Sequence, residues 1–318
     1  MYPLLLKPSI KDYLWGGTKL KIDFGFKTEK NIAAEAWMLS CHKDGMNIVL
    51  NGEYKGKTLN EVLEIWGKSA LGKNVEKFSY FPILIKLIDA KQKLSVQVHP
   101  DDCYAIEYEG EYGKTEMWYI VDCEPGAQLA YGFKKDIDKA EFELRIKENT
   151  LDEVINYVSV NKGDVFFIAA GTLHAIGEGI LIAEVQQNSN TTYRVSDYGR
   201  LGADGKPREL HIEKALDVTL THPPTLPYGN VGTIIKYAYG TERELADSEF
   251  FKVTKIDLCG TKRIVNVESL TSILVLDGEV NIKYGGDDIL AKKGDSILIP
   301  AELCVNLVGK AEMLLTAY

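Results

Sequence analysis

The sequence predicts a mainly β protein made of two β domains, with a few short helices inserted in the first. Three observations predict this fold class. Residues 94–98 alternate apolar and polar side chains, as a strand with one buried face does. Residues 81–89 form an apolar run typical of a buried strand, and the residues after 226 have the pattern of short alternating strands in a sandwich or barrel. A chain of 318 residues exceeds the usual size of one domain, so we expect two.

The composition excludes several classes of protein. Lys and Arg total 37 against 46 Asp and Glu, a net charge of −9, which argues against a nucleic-acid partner. A small anionic ligand would need a local cluster of cations. The five cysteines are scattered without a Cys-x-x-Cys pair, so we expect reduced thiols. The first 13 residues lack a signal-peptide pattern and no apolar run is long enough to span a membrane. We therefore expect a cytoplasmic protein without a membrane partner.

The first elements of the chain are extended segments and one helix. An extended segment ends in Trp15-Gly16-Gly17, where two glycines allow a tight turn beside an aromatic ring. This turn serves either packing or a binding site. A strand is expected at residues 34–40. The capping-box spacing of Thr58 and Glu61 then opens a surface helix that runs to about residue 71.

Two of the next strands carry polar side chains in unusual positions. Lys86 interrupts the apolar run at residues 81–89, where an ammonium group is costly unless it is paired or faces a wet cavity. The alternative is an edge position from which the lysine reaches water. In the following strand, Ser95, Gln97 and His99 share one face, which is either a solvated surface or the wall of a pocket.

Charged residues also share one face of two later strands. Lys114 and Glu116 lie on the same face of a strand at residues 113–122, and Glu184 lies on a strand at residues 180–186. Between them, a Gly-Asp turn and an aromatic strand lead to a bend that presents His174.

The remaining elements are helical insertions and a boundary. Two helical patterns lie between residues 134 and 158, the second opened by the capping-box spacing of Thr150 and Glu153. A short helix is expected at residues 211–218. Three prolines and a glycine at residues 221–229 mark the domain boundary, which divides the chain into 1–225 and 226–318.

An internal repeat singles out two of these residues. Aligning Lys162-Gly163-Asp164 with Lys293-Gly294-Asp295 superimposes two strand patterns and places His174 on Val305. The preceding strands also align, with Glu116 on Thr271. Because the second copy keeps the strands without either side chain, we infer that Glu116 and His174 serve chemistry and not the fold.

The polar residues predict a metal site. A Gln-x-His on one strand, a glutamate on the next and a histidine at a bend would supply two imidazoles, a carboxylate and an amide oxygen. That set suits a borderline divalent ion such as Zn²⁺, with an open position for water or substrate. The alternative is that His99 and His174 are unrelated polar residues in separate loops.

Taken together, the motifs resemble those of type I mannose-6-phosphate isomerase (phosphomannose isomerase), in its short bacterial form. The resemblance rests on these segments: Trp15-Gly16-Gly17, Glu35-Ala36-Trp37, residues 95–102, 113–122, 171–175 and 186–200. It implies a cupin fold. Residues 1–225 would form a catalytic jelly roll with helical insertions, and residues 226–318 a degenerate cupin-like β domain.

The resemblance also implies roles for individual residues. It makes Gln97, His99, Glu116 and His174 ligands of one Zn²⁺ per chain. It implies substrate-binding roles for Ser95, Lys86, Lys114 and Trp15, and catalytic roles for Arg194, Lys114 and Glu184. The reaction would be the interconversion of mannose 6-phosphate and fructose 6-phosphate through a cis-enediol, with a small sugar phosphate as the partner.

Several alternatives stay open at this point. The base that moves the proton is Lys114, Glu184 or a water bound to the metal. A different class of function is a non-catalytic, metal-containing double cupin that binds sugar phosphate. An iron-dependent cupin oxygenase is a third, which metal analysis would discriminate. The sequence predicts no oligomeric state and no selectivity among hexose phosphates.

Overall fold

A computed structural model describes residues 1–202 and 205–318. The strands of the first half are β1 Leu4–Lys7, β2 Ser9–Lys11, β3 Glu35–Leu39, β4 Ile48–Val49, β5 Ile83–Ala90, β6 Val96–Val98, β7 Glu116–Cys123, β8 Gln128–Phe133 and β9 Ile155–Ser159. Those of the second half are β10 Val165–Ile168, β11 His174–Ala175, β12 Ile180–Gln187, β13 Tyr193–Ser196, β14 Ile234–Tyr237, β15 Gly240–Asp247, β16 Lys252–Ile264, β17 Thr271–Tyr284, β18 Asp287–Lys292, β19 Ser296–Ile299 and β20 Val305–Ala317. The helices are α1 Lys19–Ile22, α2 Leu59–Trp66, α3 Asp102–Tyr108, α4 Lys139–Lys147 and α5 Ile212–Val218.

The strands form three antiparallel sheets, in agreement with the mainly β prediction. The central sheet has the order β10-β7-β12-β5-β3-β2, and the helix-side sheet has the order β13-β6-β11-β8-β9. The C-terminal sheet has the order β14-β15-β16-β20-β17-β19-β1-β4, with β18 paired to β17.

The central sheet is covered on both faces. Along β7, Trp118 and Ile120 pack with Tyr131 of the helix-side sheet, whereas Met117 and Tyr119 belong to the core cluster that includes the C-terminal sheet. Every residue of β5 and β12 is therefore buried. Since β5 lies inside the sheet between β12 and β3, Lys86 does not occupy the edge position that the sequence left open.

The internal repeat is confirmed in the pairing of strands. Glu116 pairs with Ile168 in the first copy, and Thr271 pairs with Ile299 in the second, as the alignment requires. Each copy also carries an irregularity at the same place, between Ile120 and Asp122 in β7 and between Val275 and Asp277 in β17. The two copies therefore share their strand pairing as well as their sequence pattern.

Most predicted helices form. Thr58 begins α2 with both bonds of a capping box: its hydroxyl accepts from Glu61 N at 3.3 Å and its own N–H donates to Glu61 Oε2 at 2.7 Å. The helix ends at Trp66 because Gly67, with φ of 77°, redirects the chain into a 3-10 turn. Among the described helices, none combines the length and hydropathy that a membrane span needs.

The prediction of a helix after Thr150 is wrong. Thr150 makes no capping hydrogen bond, and only a 3-10 turn at Leu151–Glu153 follows it. The chain then enters β9, whose backbone pairs with β8 from Gln128 to Phe133. Sheet pairing therefore outweighs the local helical signal at this position.

The C-terminal sheet draws strands from both ends of the chain. β1 pairs with β19, and β4 pairs with β1. The first residues of the chain thus complete the sheet that the last residues form. The division at residue 225 stays a prediction.

Candidate active site

The helix-side sheet places three of the predicted residues on neighbouring strands. Gln97 of β6 lies opposite His174 of β11 on one side and opposite Arg194 of β13 on the other. Their side chains therefore meet at one end of the sheet. The alternative of a solvated surface is wrong for this face of the strand, because Ser95 and His99 are buried.

The central sheet brings a second set of charged residues to the same place. Glu184 of β12 lies opposite Lys86 of β5 and opposite Trp118 of β7. Glu116, the first residue of β7, lies opposite Gln186. Lys114 and Glu116 then point from the central sheet toward the histidines of the facing sheet.

His99, Glu116 and His174 form a buried cluster whose donor atoms all lie within 4.8 Å of one another. His99 Nε2 lies 3.4 Å from Glu116 Oε1, and His174 Nε2 lies 4.0 Å from Glu116 Oε2. All three side chains are at most 1% exposed. The alternative that the two histidines are unrelated residues in separate loops is therefore wrong.

The imidazoles are neutral and oriented for ligation. Burial lowers the pKa of His174, and its Nδ1–H donates to the Thr172 carbonyl at 2.8 Å, which leaves the Nε2 lone pair directed at the cluster. Burial and the neighbouring Lys114 ammonium lower the pKa of His99 to about 3. Both histidines are therefore in the form that binds metals at neutral pH.

Glu116 supplies the negative charge of the cluster. Burial opposes its ionisation, but Lys114 and His99 outweigh that effect and hold the pKa of Glu116 well below its usual value. Lys114 Nζ lies 2.6 Å from Glu116 Oε1 and 3.0 Å from His99 Nε2.

The cluster fits a divalent metal. The Nε2 atoms of both imidazoles face the Glu116 carboxylate, whose Oε1 is held by Lys114 Nζ. Two imidazoles and a carboxylate are a donor set that transition metals favour. Gln97 adds an amide whose nitrogen lies 3.4 Å from His174 Nε2. A cation among these donors would bind the two Nε2 atoms and the carboxylate.

A second charged group adjoins the cluster through Trp118. Its indole N–H lies 2.9 Å from Glu116 Oε2 and 2.9 Å from Glu184 Oε2, so it donates to both carboxylates. Lys86 Nζ lies 2.9 Å from Glu184 Oε1. Burial and the nearby Glu116 charge raise the pKa of Glu184. For Lys86, burial is outweighed by Glu184 and further carboxylates, which raise its pKa.

A cavity of about 280 Å³ opens beside the cluster. It is lined by all seven predicted residues outside the His-Glu-His cluster: Trp15, Lys86, Ser95, Gln97, Lys114, Glu184 and Arg194. The turn at Trp15 also packs closely, because a Cβ at Gly16 would lie 2.2 Å from Ala34 Cβ. The turn therefore serves packing at Gly16 and lines the cavity at Trp15.

Arg194 is fixed on the rim of the cavity by the segment that leads into α5. Its backbone N–H donates to His211 Nδ1 at 3.2 Å, its carbonyl accepts from His211 N at 2.8 Å, and its Nη1 donates to the Glu209 carbonyl. Its Nε is buried without a hydrogen-bond partner. The guanidinium thus retains a donor for a ligand.

Sequence reasoning missed two charged residues of the cavity wall. Glu35 is 8% exposed and accepts from the Trp37 indole N–H at 2.7 Å. A charged residue inside an apolar strand is the signal that could have identified Glu35, and the same signal identified Lys86. Arg208 also lines the cavity, but it lies in an irregular segment without a motif or a period.

Comparisons with known proteins agree with this geometry. Residues 4–123 match the family described as phosphomannose isomerase type I, catalytic domain, and residues 241–317 match the mannose-6-phosphate isomerase cupin domain. The chain is 39% identical over 320 residues to mannose-6-phosphate isomerase ManA of Bacillus subtilis, covering 99% of this chain and 98% of that protein. It is 37% identical over 303 residues to the mannose-6-phosphate isomerase of Streptococcus mutans, covering 94% and 92%.

A solved structure is similar over the whole chain. The crystal structure of the mannose 6-phosphate isomerase from Bacillus subtilis superimposes with a TM-score of 0.92, at 35% sequence identity, covering 99% of each chain. The expected cupin architecture is confirmed by this similarity together with the cupin-domain match.

Proposed function

This chain belongs to the type I mannose-6-phosphate isomerase family, and on that premise we propose that its pocket interconverts mannose 6-phosphate and fructose 6-phosphate. One observation carries the proposal: a buried His-Glu-His cluster adjoins a cavity lined by lysines, carboxylates and arginines. An aldose-ketose isomerase must stabilise charge on a carbonyl oxygen, move a proton between two carbons and hold a phosphate. The cavity offers groups for each task.

We assign zinc as the metal, one ion per chain, with Gln97, His99, Glu116 and His174 as its ligands. The assignment is supported by the neutral imidazoles, the ionised carboxylate and donor atoms that lie within 4.8 Å of one another. When bound, zinc acts as a Lewis acid that stabilises negative charge on the oxygen of the carbonyl or enediolate.

The proposed substrate contacts are Ser95, Lys86, Lys114 and Trp15. Trp15 gives an apolar wall for the sugar carbons, and the Ser95 hydroxyl and the two ammonium groups donate to substrate oxygens. Because Lys86 is paired with Glu184 and Lys114 with Glu116, these lysines act as hydrogen-bond donors in a nearly neutral floor.

The proposed chemistry is a proton transfer through a cis-enediol. A base removes the C2 proton of the aldose, the electron pair forms a C1–C2 double bond, and O1 takes a proton. Return of a proton to C1, with loss of the O2 proton, gives the ketose. Glu184 is a candidate base, because burial and Glu116 raise its pKa. Lys114 is a second candidate, and Arg194 stabilises charge on the substrate through its planar fork.

An assay of fructose 6-phosphate formation from mannose 6-phosphate tests this function. We expect turnover by the wild-type protein and its loss in His174→Ala, which removes one ligand of the cluster. A zinc-loaded protein that binds mannose 6-phosphate without forming fructose 6-phosphate would contradict the proposal and favour a binding-only double cupin.

A further inference from the structure

The cations of the cavity differ in how well they are neutralised. On the floor, Lys86 and Lys114 face the carboxylates of Glu184, Glu116 and the nearby Glu35. The side chains of both lysines are about 5% exposed. The side chains on the floor of the cavity therefore carry no surplus positive charge to attract a dianion.

The rim has the opposite balance. Asp197 is a buried carboxylate shared by Arg200 and Arg208, and Arg194 lies close enough to Arg208 that their charges repel. Asp197 and the Glu209 carboxylate near Arg194 offset two of the three guanidinium charges, which leaves one net positive charge in a chain whose net charge is −9. Such a local excess is what a small dianion requires.

Arg208 belongs to this group of rim charges and also lines the cavity. Its Nε and Nη2 donate to Asp197, with Nε at 2.7 Å from Oδ2, and a guanidinium has five N–H donors in one plane. The side chain is 30% exposed and lines the same cavity as Ser95 and Arg194. Arg200 instead donates to the Lys93 carbonyl and lines only the adjacent groove.

We propose that Arg208 is a substrate-binding residue that holds the phosphate group of the sugar phosphate at the cavity rim, with Asp197 as its positioning residue. The inference rests on the proposed function and places the phosphate at Arg208, with the reacting carbons toward the metal cluster. Bidentate guanidinium contacts suit a phosphate, and a lysine at position 208 would keep the charge without the fork.

Steady-state kinetics and phosphate binding test this inference together. We expect Arg208→Ala to raise KM for mannose 6-phosphate about 10- to 100-fold, since hydrogen bonds to charged groups are of that strength, with a much smaller change in kcat. The dissociation constant of inorganic phosphate, measured by calorimetry, should rise by a similar factor. Arg208→Lys should lie between Arg208→Ala and wild type.

The matched control is Arg145→Ala. Arg145 lies on α4, pairs with Glu141 and Glu153, and does not line the cavity. It should keep wild-type KM and phosphate affinity. Unchanged KM and phosphate affinity in Arg208→Ala, or a fall in kcat alone, would overturn the inference. If Arg208→Ala fails to fold, wild-type values in Arg208→Lys would overturn it.

The phosphate titration needs no turnover and separates two failures. A wild-type protein that binds phosphate through Arg208 but does not convert mannose 6-phosphate would contradict the proposed function alone. A wild-type protein that converts the substrate, with Arg208 variants unchanged in both readouts, would contradict the phosphate assignment alone.

Discussion

Lys86, Lys114, Glu116 and Glu184 are buried charges that compensate one another in pairs. Removing one partner of such a pair leaves an uncompensated charge in the core, which commonly costs about 3–5 kcal/mol. Substitution at these four positions therefore mixes loss of stability with loss of chemistry. Arg194, on the rim and outside both pairs, gives a cleaner kinetic test.

We expect Arg194→Ala to keep its metal and lose most turnover. The guanidinium lies outside the His-Glu-His cluster, so zinc content should stay at about one equivalent. Loss of one group that stabilises developing charge typically lowers kcat about 100-fold or more. Kinetics and metal analysis of the same preparation check this, and near-normal kcat would remove Arg194 from the catalytic residues.

Individual residues differ in how far the sequence predicts them. Glu116 and His174 could be found because the second copy of the repeat has Thr271 and Val305 instead, a contrast visible without a structure. Arg208 could not, because its position depends on Asp197 and on an irregular loop, which leave no periodic pattern.

At the scale of elements, Asp102 ties α3 to the strands that carry the site. Its Oδ1 accepts from Gly113 N at 2.7 Å and from the Gln187 amide at 2.8 Å. Gln187 in turn accepts from Thr115 N at 2.9 Å. This network fixes the start of β7, where Lys114 precedes the strand and Glu116 is its first residue.

We expect Asp102→Ala to lower the free energy of unfolding by about 1–3 kcal/mol, because two hydrogen bonds are lost and the Gln187 amide is left without its partner. Zinc affinity should fall as well. Thr58→Ala, which removes the cap of α2, should cost about 1 kcal/mol and leave zinc affinity unchanged. Denaturation and zinc titration check both, and equal zinc affinities in the two variants would contradict this role.

Two capping patterns show how far a local sequence signal predicts an element. The Thr58 and Glu61 spacing predicts α2 correctly because both capping bonds form and the helix buries Leu59 and Val62. The same spacing at Thr150 fails because β8 offers a pairing partner for residues 155–159. A capping pattern carries no information on distant strands, so it could not separate the two cases.

For the whole molecule, one core joins the two ends of the chain. Leu4 and Leu6 of β1 belong to the same buried cluster as Leu87 of the central sheet and Leu298 and Leu314 of the C-terminal sheet. The proline-rich segment predicts two domains, but the pairing of β1 with β19 leaves no signal in the sequence between them. Stability is therefore expected to be shared between the two halves.

We expect thermal unfolding to be a single cooperative transition, because neither half can lose its sheet without exposing this shared cluster. Leu298→Ala should lower the stability of that transition by about 2–5 kcal/mol without splitting it. Calorimetry checks this, and two separate transitions in the wild-type protein would contradict it.

The claim that the buried cluster makes this chain a zinc-dependent isomerase has one most direct test. It is the rate of fructose 6-phosphate formation from mannose 6-phosphate by chelator-stripped protein, before and after zinc is returned. We expect the stripped protein to be inactive and activity to return with about one equivalent of zinc per chain. Full activity in protein shown to be metal-free, or no activity after zinc binding, would contradict the account.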